Sequence, residues 1–186
     1  MSDQLLMRTG LLLEITERKK NKGRLGKTSV MKLLYLLQEG YGIDLGYSFS
    51  LYTYGPYDSA VMGDIDYASN IGVLDVKYQG DRGYEIKSGE DADQIKDYQN
   101  EFKKKHSDSL EALFNHFGQC NAKELELRST LVLIANDNPK ITNEKLIEVL
   151  KKVKPRFSDD EIGQAIDDLR QSGIWERIDA KYLVTA

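Results

Sequence analysis

The nearest thing to a chemical motif in this sequence is a loop that ends in Gly-Lys-Thr. Residues 21–28 read Asn-Lys-Gly-Arg-Leu-Gly-Lys-Thr, and a glycine-rich turn that opens a helix at Lys-Thr is a shape that cradles phosphate. Nucleoside-triphosphate loops need four residues between their glycines and a strand ahead of them. Here only Arg24 and Leu25 separate Gly23 from Gly26, and a charged helical stretch precedes. Nucleotide hydrolysis is therefore rejected. What remains is a basic tract of Arg18, Lys19, Lys20, Lys22, Arg24 and Lys27 with no acid among them. Such a tract at a helix start is a candidate for receiving phosphate groups; a solvated loop is the competing reading.

The remaining chemistry-bearing residues do not assemble into a reaction centre. His116 and Cys120 stand four apart and can share a helix face, but two ligands do not close a zinc site, and His106 is the only other histidine. The same shortage leaves Cys120 without a base to activate it. Asp159 and Asp160 are accounted for by the positive end of a helix. No catalytic residue, metal ligand or cofactor is expected, so the chain reads as a non-enzyme.

A different signal lies in the aromatics. Nine of the eleven tyrosines fall between Tyr35 and Tyr84, and Tyr52, Tyr54 and Tyr57 crowd around Gly55-Pro56. Tyrosine offers amphipathic contact area at low entropic cost, so an exposed cluster suits a protein interface, whereas core and wing packing is the competing use. With Asp58, these three tyrosines form the candidate protein interface.

The elements that must position these residues follow from hydrophobic period. Residues 3–20 predict an amphipathic helix with Leu5, Leu6, Leu12, Leu13 and Ile15 inward. Val30, Leu33, Leu34 and Leu37 predict a second, capped by Thr28 or Ser29. After Gly40 and Gly42 the period becomes two: Phe49 and Leu51 face one way, Ser50 and Tyr52 the other. A rigid Gly55-Pro56 turn leads to Asp58, the N-cap of a third helix with Val61, Ile65 and Ala68 inward, which stops at Gly72. A hairpin follows, with Leu74, Val76 and Tyr78 in one strand and residues 84–86 in the other. Three helices and a hairpin is the winged-helix order.

Residues 91–118 predict two helices broken near Lys103 to Lys105, Ser107 and Asp108. The C-terminal part repeats the first plan. One helix carries Leu127, Leu131 and Ile134, and a second starts at Thr142. A third has a Ser158/Glu161 capping box with Phe157 and Ile162 as a hydrophobic staple. Two strands then close the chain, residues 174–178 and 182–184. Residues 65–74 align without gaps on residues 166–175 at this helix-glycine-strand junction. The fold class expected is mainly α within α+β: two winged-helix-like units, 1–90 and 121–186, each with a small β-hairpin wing, joined by a helical connector, 91–120.

Composition bounds the partner. The chain has 40% hydrophobic and 30% charged residues, a globular balance. No apolar run approaches the roughly 20 residues that span a bilayer, no signal-peptide shape is present, and one cysteine fits a reducing compartment; a cytoplasmic location without a membrane partner is expected. The net charge is −4, so DNA binding requires a local basic patch. The helix that reads the major groove in winged-helix proteins carries Asp58, Asp64 and Asp66 in the first unit. In the second it carries Asp159, Asp160, Glu161, Asp167 and Asp168 against Arg170. These acids disfavour groove reading.

The run Lys32-Leu33-Leu34-Tyr35-Leu36-Leu37, then Phe49, then Tyr54-Gly55-Pro56-Tyr57, then the helix ending at Gly72, resembles the YwgA-like bacterial proteins and, more distantly, the Panacea-domain antitoxins that include SocA-type proteins. The resemblance covers roughly the first half of the chain. It implies a bacterial or phage-associated protein without known enzymatic activity. It also implies action by binding a partner protein, in some relatives a toxin, which some deliver to a protease. The leading expectation is an antitoxin-like or regulatory interaction protein, with a homodimer compatible. The alternative is a DNA-binding transcriptional regulator that grips phosphates with Arg18, Lys19, Lys20, Lys22, Arg24, Lys27 and the wing residues Lys77 and Arg82.

Overall fold

The computed structural model describes residues 3–138 and 140–183. Helix α1 (Asp3–Lys19) is buried on all sides from Thr9 to Thr16 and packs most extensively on α4 (Lys96–Lys105). Helix α2 (Lys27–Tyr35) runs on as a π-helical turn, Leu36–Gly40. Strand β1 (Ser50–Tyr52) pairs antiparallel with β2 (Gly55–Tyr57), and α3 (Ser59–Asn70) follows. Strands β3 (Leu74–Tyr78) and β4 (Tyr84–Ser88) form a second antiparallel hairpin with Val76 opposite Ile86.

Beyond α4 the described chain is helical: α5 (Ser107–Phe117), α6 (Ala122–Asp137), α7 (Asn143–Val153), α8 (Asp159–Gln171) and α9 (Ile174–Leu183). Helix α6 is buried without a break from Leu125 to Ala135, as befits a helix enclosed by others. It packs on α2 and β2 on one side and on α7 and α8 on the other. One hydrophobic cluster extends from Leu11 in α1 to Ile178 in α9. The class is mainly helical with two small antiparallel hairpins. Among the described residues no helix is long and apolar enough to cross a membrane.

Several local expectations hold. Asp58 caps α3, its carboxylate accepting from the Ala60 amide at 2.8 Å. Gly72 ends that helix with φ 74°. Thr142 caps α7. The Ser158/Glu161 box opens α8, with Phe157 and Ile162 both buried. The helical break near residue 106 separates α4 from α5.

Four expectations are corrected. The chain reverses at Thr53-Tyr54, not at Gly55-Pro56; Gly55 takes φ 84° just after the turn, and Pro56 lies in β2 opposite Leu51. Proline is tolerated there because the strand belongs to a two-stranded hairpin with free edges. Leu51 does not face inward: all of β1 is exposed. Helix α2 starts one residue before Thr28, with Gly26 as N-cap and no side-chain cap. Finally, residues 174–183 are helix, not strand. Ile174 and Ile178 are both buried, and their spacing of four places them on one helical face, so the second hairpin wing is absent from the described residues. Val184 of the expected last strand lies outside them.

Candidate interaction site around the Tyr-Gly-Pro hairpin

The β1–β2 hairpin is held from below by a buried set of charges. Lys32, inside the leucine-rich α2, is 2% exposed and donates from Nζ to the Pro56 carbonyl at 2.5 Å. Lys154, just past α7, is 6% exposed and donates to the Thr53 carbonyl at the hairpin turn. Its Nζ also lies 2.8 Å from Glu126 Oε1, an ion pair by distance without hydrogen-bond alignment, while Arg156 donates to Oε2 of the same carboxylate. Burial lowers the Lys32 ammonium to a pKa of about 8; the nearby Glu126 opposes this and Lys154 adds to it. A lysine with no ion pair among the described residues is kept here because it satisfies a backbone carbonyl that water cannot reach.

Gly55 completes the attachment. Its backbone crosses α6 so closely that an added Cβ would stand 2.7 Å from Thr130 Oγ1, and its φ of 84° disfavours other residues. The hairpin backbone is thus clamped to α2 and α6, while the side chains of β1 and the turn are exposed. Tyr52 is 64% exposed, Tyr54 57% and Leu51 47%. Tyr57 is half-buried with its ring 5.4 Å from that of Tyr52. Beside them a mostly apolar cleft of about 170 Å³ is lined by Met31, Met62, Tyr52, Tyr54 and Tyr57, with Lys27 and Lys32 as its charged members. Phe49, by contrast, packs edge-on against Tyr35 at 5.1 Å and belongs to the core side.

Of the candidate interface residues, Tyr52, Tyr54 and Tyr57 therefore come together. Asp58 does not join them as a contact group: its carboxylate is occupied by the amides of Ser48 and Ala60. The acids of α3 also differ from their sequence appearance. Asp64 turns inward, accepting from Tyr47 Oη at 2.7 Å and from Arg8 at 3.5 Å. Burial raises its carboxyl, against the pull of Tyr47 and Arg8. Only Asp66 stands out from the helix, and it pairs with Lys27 at 2.8 Å.

The basic candidates divide into three groups. Arg18 is paired with Glu14 and Glu111. Lys19 is buried, donating to the carbonyls of Gly118 at 2.9 Å, Cys120 at 3.0 Å and Lys22 at 3.4 Å, and Lys77 is paired with Asp75. Lys22, Arg24, Lys27 and Arg82 line a common groove of about 490 Å³, in which Lys123 from the start of α6 joins them. Lys20 lies across the loop with Arg24 and Lys87 in a second depression.

Sequence reasoning missed Lys32, Lys154 and Glu126 as supports and Lys123 as a groove residue. A lysine set between Met31 and Leu33 in a buried helix is the one local sign that could have found Lys32. Lys154 and Lys123 have no such sign, because their partners lie far away in sequence.

No protein-family model matches the chain, and no curated protein matches it significantly.

Proposed function

We propose that this chain is a non-enzymatic interaction protein, antitoxin-like or regulatory, whose β1–β2 hairpin docks a partner polypeptide. The observation that supports this reading is the contrast within residues 51–57. Leu51, Tyr52 and Tyr54 are exposed, yet the backbone that carries them is fastened by Lys32, Lys154 and the close approach of Gly55 to Thr130. Large rigid aromatics on a fixed backbone lose little freedom on binding, which is how preorganised surfaces gain affinity. The adjoining cleft, mostly apolar with Lys27 in its lining, suits a partner segment bearing an apolar side chain next to an acidic one.

The test is co-purification from the host, identification of the retained protein, and calorimetry with that protein in pure form. The double substitution Tyr52→Ala, Tyr54→Ala touches only exposed rings, so folding should survive while affinity falls at least tenfold, as for interfacial tyrosines at hot spots. Unchanged affinity in the folded double variant would remove the hairpin from the interface.

A further inference from the structure

We infer that the groove between the α1–α2 loop, the β3–β4 tip and the α5–α6 corner holds the backbone of a single-stranded nucleic acid, whose bases stack on Tyr84 and Tyr78. The inference stands apart from the hairpin reading: of the residues argued from, the two share only Lys27, which lines both the hairpin cleft and this groove. Lys19, Lys22, Arg24, Lys27, Arg82 and Lys123 line this groove, and no aspartate or glutamate does, in a chain whose net charge is −4. That concentration of one sign in a concave site attracts a polyanion.

The cations are available in different degrees. Arg82 makes no ion pair among the described residues, and neither does Lys22, which rests 5.8 Å from the Phe114 ring centre. Arg24 donates to the Tyr84 carbonyl at 2.6 Å and has no acid partner among the described residues. Lys27 and Lys123 pair with Asp66 and Glu161, carboxylates that are 62% and 40% exposed. Pairs of that kind are weak and exchange readily for a phosphate. Lys19 contributes fixed charge beneath the floor. The start of α2 also borders the groove, with Gly26, Thr28 and Ser29 in its lining and no side-chain cap, and an uncapped helix start favours an anion.

Two features favour a single strand over a duplex. Tyr78 and Tyr84 are 68% and 43% exposed, with ring centres 5.3 Å apart; Tyr84 lines the groove, and Lys27 Nζ sits 4.6 Å from its ring centre. Exposed rings beside a cationic channel are the arrangement that stacks unpaired bases. The helix that would enter a major groove, α3, carries no lysine or arginine, and its outward Asp66 would meet phosphate.

Fluorescence anisotropy of labelled oligo-dT and oligo-U of about 12 nucleotides, with a matched duplex and poly-glutamate as competitors, tests the assignment. Both single strands should bind more tightly than the duplex. Their affinity should fall with salt at a log–log slope of about −2, as three phosphate contacts give. Arg82→Glu should weaken binding at least tenfold. Tyr84→Ala should cost about tenfold while Tyr84→Phe, which keeps the stacking face, should bind as the native chain does. Retention of neither oligonucleotide at low salt, preference for the duplex, or displacement by poly-glutamate at equal charge would each overturn the inference.

Discussion

Lys32 and Pro56 stand 24 residues apart in the chain and meet through one hydrogen bond, the ammonium of α2 donating to the proline carbonyl at 2.5 Å. The Lys-Leu helix and the Tyr-Gly-Pro element are thus two halves of one device. The lysine holds the proline carbonyl, the glycine lets the strand approach α6, and Tyr52 and Tyr54 are left exposed.

That lysine gives the fold a measurable pH signature. Its pKa is about 8 in the folded chain against an ordinary 10.5, so between these values the unfolded chain binds more protons, and stability rises with pH. In the same series Tyr41, pushed up to about 12, and Tyr47, raised further by burial and by Asp64, act oppositely above pH 10. Denaturant melts of native protein and Lys32→Met isolate the lysine. The difference in unfolding free energy should shift toward the native chain from pH 8 to 10, and parallel curves would show that Lys32 is not the group responsible.

Gly55→Ala should destabilise strongly. The substitution places a Cβ 2.7 Å from Thr130 Oγ1 and forces a non-glycine residue to φ 84°. Backbone strain alone is worth about 1–3 kcal/mol, and the clash adds to it. Thermal melting reads the loss; a melting point within a degree or two of native would mean that the hairpin can lift from α6 without penalty.

The Arg8–Tyr47–Asp64 group should behave as one unit. Tyr47 Oη donates to Asp64, Arg8 lies 4.0 Å from the Tyr47 ring centre, and Arg8 also donates to the Leu45 carbonyl at 2.7 Å. A double-mutant cycle with Tyr47→Phe and Asp64→Asn should return a coupling of about 0.5–3 kcal/mol. Additive single effects would show that the hydroxyl and carboxylate act separately.

Asn121→Ala should cost about 1 kcal/mol. The Asn121 side chain accepts from the amides of Lys123 and Glu124 at 2.9 and 3.0 Å, and Glu124 returns the bond to the Asn121 amide at 2.7 Å. Amide hydrogen exchange should speed up in the first turn of α6, while α8, with its own Ser158/Glu161 box, should be unchanged.

What could be read from the sequence was what depends on near neighbours. The caps at Asp58, Thr142 and Ser158 act within three residues, and the leucine spacing of α2 concerns a single helix. The glycines at 72 and 173 mark where this reach ends. Both take nearly the same φ, 74° and 75°, yet β3 follows the first and α9 the second. The local signal fixes the stop but not the continuation, since Ile174, Trp175 and Ile178 fit either period until their neighbours are known. The exposed tyrosines of the hairpin were legible as a cluster. Their supports were not, because Lys154 reaches Thr53 across 101 positions and Asp64 turns inward only because Tyr47 and Arg8 await it.

Lys19 carries one more implication. Its single ammonium joins the end of α1 to the carbonyls of Lys22, Gly118 and Cys120, so the loop on one bank and the helical corner on the other share a rivet. The spacing of these two banks is thereby tied to one side chain, while the β3–β4 tip that completes the groove is not joined to that ammonium.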